Sequence, residues 1–282
     1  MKRRQFLQLT GLGSAAVATF GYGFKVEPGL LSITRREVVM PNLPGDLDGL
    51  RVAMFGDLHY RPDADEPLVQ KLVEAVNQEA PDLVAIVGDY LEHDDAVIPL
   101  LLEHLAGIKA KHGIFAIMGN HDGWYSVGSR VKRLFKERGV DFLINEHSQI
   151  TIRQSRLAIA GTDNVWDGNP DIPATFRGIA KDTPTLALIH EPDYFDTVVT
   201  GRDNILQLSG HTHGGQCRVP LIGYAPQTVT WGKKYIYGEF ERSASKLFVT
   251  RGVGTTGIRV RFACRPELAM LTLRSPEVLV QA

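Results

Sequence analysis

The feature that most restricts the fold is a repeated pattern, in which a short apolar, β-branched run stops abruptly at a polar or glycine-containing cluster. Five such runs occur, at residues 50–55, 83–87, 114–118, 186–189 and 205–208. Runs of this length with little alternation of apolar and polar residues are typical of strands buried on both faces. Such strands need helices or a second sheet on each side, so the pattern predicts an α/β fold.

Helical patterns lie between the first of these runs. Apolar residues at spacings of three and four between Leu68 and Val76 define one face of a predicted helix. Further helices are predicted at residues 98–111 and 127–138, the latter followed by Gly139 as a C-cap. The order strand, helix, strand indicates parallel strands joined by right-handed crossovers. After about residue 140, the strand-like runs predict a second, more antiparallel sheet packed on the first; they lie at 150–152, 157–160, 246–250 and 267–273.

Composition and charge exclude several classes of protein. The 282 residues, 44% hydrophobic and 22% charged, suit one large globular domain and neither a fibrous nor a disordered chain. A formal net charge of -1 supplies no broad positive field, so we expect no nucleic-acid partner. Two cysteines exclude a disulfide framework and a four-cysteine zinc site. Cys217 and Cys264 form either one bridge or, as the favoured alternative, two separate buried thiols.

The N-terminal segment differs from the rest of the chain. Residues 2–7, KRRQFL, precede an uncharged run rich in glycine and alanine that extends from Leu9 to Phe24. This layout resembles a twin-arginine export signal, although Lys2 stands where that signal favours serine or threonine. The alternative is a basic tail followed by a short core helix. No convincing cleavage site follows the run, so the segment is either removed or retained as a membrane anchor, for which it is short.

The polar clusters at the strand ends supply a set of donor side chains. In open α/β sheets, ligands collect in the crevice outside the carboxyl ends of the strands. Taken alone, each residue is readily explained as a turn residue, an N-cap or a structural histidine. These structural roles do not explain why five independent strands all end in residues that can bind a metal. Oxygen and imidazole donors without a thiolate suit Mn²⁺, Zn²⁺ or iron. The candidates are Asp57, His59, Asp89, Asn120, His121, Asp122, His190, His211 and His213.

These clusters resemble, in order and approximate spacing, the signature of the calcineurin-like metallophosphoesterases. The matching motifs are DLH at 57–59, GD at 88–89, GNHD at 119–122, the lone His190, and GHTH at 210–213. The resemblance covers about residues 50–275 and implies the metallophosphoesterase fold, a four-layer α-β-β-α sandwich of two mixed sheets. HTHGGQ at 211–216, RGVG at 251–254 and RPE at 265–267 resemble a bacterial subgroup of twin-arginine-exported phosphodiesterases.

The resemblance also implies a role for each candidate. Two divalent or trivalent ions of manganese, zinc or iron would lower the pKa of a shared water and neutralise the phosphate. Asp89 would bridge both ions, because it offers two oxygens and a negative charge. His121 would protonate the leaving alkoxide, and Asp122 would orient His121. The remaining ligands divide between the two ions, with Asp57, His59 and His213 at one and Asn120, His190 and His211 at the other.

Several further residues have two interpretations each. Asp163 either contacts a ligand residue or, as the better alternative, forms a turn. Three arginines either meet substrate phosphate or pair with surface carboxylates; they are Arg251, Arg259 and Arg261. Aromatic residues of the segment 218–240 either line a pocket or pack the second sheet; they are Tyr224, Trp231, Tyr235 and Tyr237.

The resemblance favours an exported phosphodiesterase that acts on a small or lipid-linked phosphoester in the periplasm or at the outer face of the inner membrane. Its partners would be the phosphoester substrate and the twin-arginine export machinery, with membrane association if the N-terminal segment is retained. A pyrophosphate hydrolase of nucleotide-linked lipids and a catalytically silent binding module are the alternatives, and the oligomeric state is left open. The chain divides into a signal or anchor (1–24), a linker and first strand (25–49), the metallophosphoesterase domain (50–275) and a tail (276–282).

Overall fold

The computed structural model describes residues 20–223 and 229–281, and in these residues twelve strands form two six-stranded sheets. In the first sheet only one neighbouring pair, β12 with β2, is antiparallel. Its strands, in spatial order, are β1 (Ser32–Val39), β12 (Glu267–Arg274), β2 (Leu50–Phe55), β3 (Leu83–Ile86), β4 (Ile114–Ile117) and β5 (Asp141–Leu143).

The second sheet is also mixed. Its three central pairings are parallel and its two outer pairings are antiparallel. Its strands, in spatial order, are β10 (Gly238–Arg242), β11 (Ser245–Val249), β9 (Ile205–Ser209), β8 (Thr185–Leu188), β7 (Ser155–Gly161) and β6 (Glu146–Ile152).

Helices cover the outer face of each sheet. Apolar residues of β2 alternate, so that Ala53 and Phe55 pack under the helices while Val52 and Met54 face the second sheet. The sequence thereby folds into the predicted four-layer α-β-β-α sandwich. The helices are α1 (Pro62–Glu79), α2 (Ile98–Leu105), α3 (Asn120–Tyr125), α4 (Gly128–Lys136), α5 (Ile172–Thr175), α6 (Phe195–Gly201) and α7 (Pro276–Gln281).

Three details differ from the sequence-based expectation. The run 267–273, assigned to the second sheet, is a strand of the first sheet, where burial on both faces suits its apolar composition. The helix expected over 98–111 ends at Leu105, because the Asn77 side chain binds the Gly107 carbonyl and the Lys109 amide at 2.9 Å each. Residues 120–125, for which the sequence analysis predicted no helix, form the short helix α3.

The two cysteines and the N-terminal segment complete the comparison with the sequence. Cys217 and Cys264 are free thiols, and the Cys264 Sγ donates to the His213 carbonyl at 3.2 Å. The predicted export signal covers residues 1–24. Of these, residues 1–19 lie outside the described residues. Within residues 20–223 and 229–281, no helix combines the length and the apolarity that a membrane crossing requires.

Gly161, at the end of β7, allows the two sheets to approach closely. A Cβ at this position would lie 2.5 Å from the Leu143 Cβ and 2.7 Å from the Ile117 Cγ2, both in the first sheet. We expect Gly161→Ala to lower the free energy of unfolding by about 1–3 kcal/mol, because overpacking forces the sheets apart. Urea denaturation measures the change. Gly29→Ala is the control, since its Cβ would have no neighbour within 4 Å; equal stability of the two variants would contradict the close packing.

Candidate metal centre

The structure brings the nine candidate residues together at one edge of the sandwich. They follow the carboxyl ends of β2, β3 and β4 in the first sheet and of β8 and β9 in the second. The centre is therefore built jointly by both sheets. His121 is partly exposed, and the other eight side chains are buried.

The backbone is left-handed at most of the predicted ligands. Residues other than glycine rarely adopt a positive φ. Those that do concentrate at functional sites, where the surrounding packing must hold the strained backbone. Here the left-handed turns direct the side chains back over the strand ends. The residues are Asp57 (φ 51°), His59 (φ 41°), Asp89 (φ 55°), His211 (φ 73°) and His213 (φ 51°).

The predicted ligands form two groups. In the first, the His213 Nε2 lies 3.0 Å from the His59 Nε2 and 3.9 Å from the Asp57 Oδ1. In the second, the His211 Nδ1 lies 2.8 Å from the Asn120 Oδ1, and the His190 and His211 rings pack edge to face at 5.1 Å. These are the two sets that the resemblance implies.

Asp89 lies between the two groups. Its Oδ2 is 3.3 Å from the His59 Nε2 and 3.2 Å from the His190 Nε2, whereas its Oδ1 accepts the His121 amide at 2.9 Å. The resemblance implies that Asp89 bridges both ions, and in the structure Oδ2 is the oxygen that faces both groups.

Proton positions test whether these side chains fit metal ions. The His190 Nδ1 donates to the Val87 carbonyl at 2.5 Å, so in the neutral ring the Nε2 presents a lone pair to Asp89. The His211 Nε2 donates to the Thr230 carbonyl at 2.7 Å, so its Nδ1 presents a lone pair to the Asn120 oxygen. Lone pairs that face oxygens repel each other unless a proton or a metal ion lies between them. Burial lowers the pKa of His190, but Asp89 outweighs it and raises the pKa well above its usual range, which shows that positive charge is favoured here. The donor set therefore fits two metal ions, one for each group.

The electrostatics of the centre agree with this fit. Burial raises the pKa of Asp57 to about 6, although the nearby His190 and His59 oppose the rise. Burial also lowers the pKa of His59, but hydrogen bonds to Asp89 and Glu92 outweigh it and raise the value to about 9. Positive charge is thus favoured between these carboxylates. Burial and His190 lower the pKa of His211 to about 3, which keeps its ring neutral, as a metal ligand must be.

Glu92 is a site residue that the sequence interpretation missed. Its buried carboxylate lies 2.7 Å from the His59 Nδ1, and its other oxygen accepts the Gly257 amide at 2.7 Å and lies 3.1 Å from Arg61. A carboxylate on the far nitrogen fixes the tautomer and orientation of a ligating histidine. Its position three residues after Asp89, on the segment that leaves β3, is the signal that could have identified it.

His121 and Asp122 have different partners. The His121 Nδ1 donates to the Glu92 carbonyl at 3.0 Å, and its ring packs edge to face on His59 at 4.5 Å. Asp122 instead accepts the amides of Gly119, Asp89 and Tyr90 at 2.8–2.9 Å. The prediction that Asp122 orients His121 is therefore wrong; Asp122 fixes the backbone that carries Asp89.

The arginines named as substrate contacts are engaged elsewhere. Arg251 pairs with Glu267 at 3.1 Å, and Arg259 pairs with Asp65 at 3.2 Å. Arg261 is fully buried and donates to backbone carbonyls, including that of Gly254 at 2.6 Å. The first two are paired with carboxylates as expected, but both carboxylates are buried and not at the surface; the third supports the loop behind His213.

The remaining candidates are structural. Asp163 accepts the amides of Asn164 at 2.8 Å and Asn169 at 3.0 Å, as a turn residue does. Tyr235 is buried against Phe195 and Phe240 and so packs on the second sheet, whereas Tyr237 packs under Arg218 and Arg251 and donates to Glu267 of the first sheet. Tyr224 lies outside the described residues.

Comparison with known proteins agrees with this geometry. Residues 50–215 match the model of the calcineurin-like phosphoesterases. The uncharacterized metallophosphoesterase YkuE of Bacillus subtilis is 32% identical over 98% of this chain and 98% of its own length. Phosphodiesterase YaeI of Escherichia coli is 30% identical over 97% and 99%. The NAD nucleotidase NadN of Haemophilus influenzae, at 15% identity, shares the fold over 72% of this chain and 45% of its own, with a TM-score of 0.50.

Glu92→Gln should weaken metal binding by about 10–100-fold, the range seen when such supporting carboxylates are lost. The amide keeps the shape of the side chain but removes the charge that holds the His59 Nδ1 proton. Isothermal titration with Mn²⁺ measures the affinity. Glu103→Gln, an exposed glutamate of α2, is the control. Affinities that match in the two variants would remove Glu92 from the centre.

Proposed function

The chain belongs to the calcineurin-like phosphoesterase family and is a metal-dependent phosphoester hydrolase; from this premise we propose that it is an exported phosphodiesterase. The observation that carries the assignment is the position of the Asp89 Oδ2 between two imidazole nitrogens, with the far nitrogen of each ring held by the Glu92 carboxylate or the Val87 carbonyl. The name of the relative YaeI supports a diester as the substrate.

The ligands act by position and charge. Two bound cations supply the positive charge that polarises a phosphate ester and activates water. Asp57, His59 and His213 would hold one ion, and the second group described above would hold the other, with Asp89 facing both. Manganese, zinc and iron all suit these oxygen and imidazole donors.

His121 is placed to transfer a proton. Its Nδ1 is fixed by the Glu92 carbonyl, which leaves the Nε2 of this partly exposed ring for the leaving alkoxide. Burial lowers the pKa of His121, while the Asp89 carboxylate opposes that effect. A bound anionic phosphoester would act against the effect of burial, raise the pKa of His121 and so favour the protonated ring that a general acid needs.

Export and membrane association rest on the N-terminal part of the chain. The KRRQFL sequence at residues 2–7 supports the twin-arginine machinery as the export route, and the periplasm or the outer face of the inner membrane as the destination. The apolar run ends at Phe20 and Phe24, whose rings are 68% and 38% exposed beside an apolar recess that includes Val260 and Phe262. An exposed apolar surface at this junction supports contact with a membrane.

Hydrolysis of bis-p-nitrophenyl phosphate by the purified full-length protein with Mn²⁺ tests the proposal. We expect turnover of the diester that a chelator abolishes. Asp89→Asn should lose both activity and bound metal, because the amide lacks the charge that faces both groups. A fully metallated, active Asp89→Asn variant would contradict the bridging role, and an inactive wild-type protein with two bound metals would contradict the enzyme assignment.

His121→Ala should retain its metal and slow hydrolysis most for esters with poor leaving groups. The general acid matters when the alkoxide cannot leave unprotonated, and its loss costs about 10²–10⁴-fold. Rates across a series of aryl and alkyl diesters measure the dependence. His112→Ala is the matched control, since His112 lies at the opposite edge of the sandwich, before β4. Equal slowing of good and poor leaving groups would exclude His121 as the acid.

A further inference from the structure

Two tryptophans stand exposed at the mouth of the metal centre. Trp124 is 40% and Trp166 is 38% exposed, although both rings are large and apolar. They line the same cleft as Asp89 and His211, a space of about 180 Å³. Their ring centroids are 5.0 Å apart and their planes make an angle of 81°. The two rings therefore form a right-angled corner at the entrance to the centre.

The corner is connected to both sides of the centre. Trp124 packs on the His121 ring at 4.8 Å, and Trp166 packs edge to face on the His211 ring at 5.7 Å. A phosphoester held at the centre would therefore place one of its ester groups against these tryptophans. Because His121 is the group placed to protonate the departing alkoxide, the corner lies beside the leaving group.

The local structure holds the corner in advance of any ligand. Gly123 lets α3 approach the loop of Trp166, since a Cβ there would lie 2.7 Å from the Asn164 Nδ2. The fully buried Glu191, next to His190 in sequence, accepts the amides of Val165 at 3.0 Å and Trp166 at 3.3 Å. A preorganised aromatic surface loses little entropy on binding, which is typical of a recognition site.

We propose that Trp124 and Trp166 bind a planar aromatic ring of the substrate, and so select aromatic phosphoesters. This inference rests on the proposed phosphoesterase function. A planar ring that stacks on one indole receives an edge contact from the other, and each such contact adds to the burial of apolar area. A saturated chain gains only the burial of apolar area and lacks the aromatic contacts.

Binding of two matched phosphonates to the full-length, Mn²⁺-loaded protein tests the corner. Phenylphosphonate and cyclohexylphosphonate carry the same charge and six ring carbons, but only the first is planar, and neither has an ester bond to hydrolyse. Calorimetry should show that phenylphosphonate binds about 3- to 10-fold more tightly, from the usual strength of aromatic pairs. Trp124→Leu and Trp166→Leu should each reduce that preference.

The control and the opposite results separate this inference from the proposed function. The Trp231 ring packs on Tyr194, so the control variant Trp231→Leu should keep the preference for phenylphosphonate. Equal affinity for the two phosphonates, or no binding of either, overturns the proposed ring recognition whether or not diesters are hydrolysed. A preference that is unchanged in both Trp124→Leu and Trp166→Leu also overturns it. A retained preference without any diester hydrolysis counts against the proposed function alone.

Two further probes identify the source of the ring. Adenosine 5′-monophosphate presents a nucleobase and phenyl phosphate presents a simple aryl ester, and both are measured as competitors of diester hydrolysis. Stronger competition by one of them, lost in Trp124→Leu, supports the corner and names the source. Stronger competition by hexylphosphonate than by either aromatic probe would overturn it in favour of an acyl chain.

Discussion

The structure depends on a concentration of buried lone pairs around one carboxylate oxygen. The Asp89 Oδ2 lies within 3.3 Å of imidazole nitrogens from two different strand ends, and the Asn120 oxygen faces a third imidazole at 2.8 Å. Removed from water, such groups are unfavourable unless a positive charge compensates them. The fold thus supplies a site that cations stabilise, and much of the surrounding structure serves to keep these donors pointed at one another.

Two kinds of support maintain this arrangement. Backbone carbonyls of Val87 and Thr230 and the carboxylate of Glu92 each hold the far nitrogen of a histidine, and so decide which nitrogen faces the centre. The left-handed backbone at five ligands stores strain that the packed sheets must offset. Asp122 contributes by binding three amides around Asp89, a role in the backbone framework and outside the chemistry.

Function follows from what surrounds the centre as much as from the ligands. The same two-metal chemistry serves many phosphoesters, so the walls of the cleft must select among them. Here those walls are aromatic on one side, at Trp124 and Trp166, while an exposed apolar surface lies where the N-terminal segment joins the domain. In our proposals the tryptophans contact the ester group of the substrate, and the apolar surface contacts a membrane.

The sequence by itself determined the buried strands, the α/β class of the fold and the donor set. Apolar runs that end in polar clusters specify buried strands and their carboxyl ends through local periodicity, which one segment carries alone. The partners of each side chain depend on segments far apart in the chain. Only the tertiary structure decided that Glu92 holds His59, that Asp122 holds a backbone, that 267–273 joins the first sheet, and that two tryptophans 42 positions apart meet. Hydrogen bonds and ring contacts form between whatever the packing of the two sheets brings within a few ångströms, and that packing has no signature in a single segment.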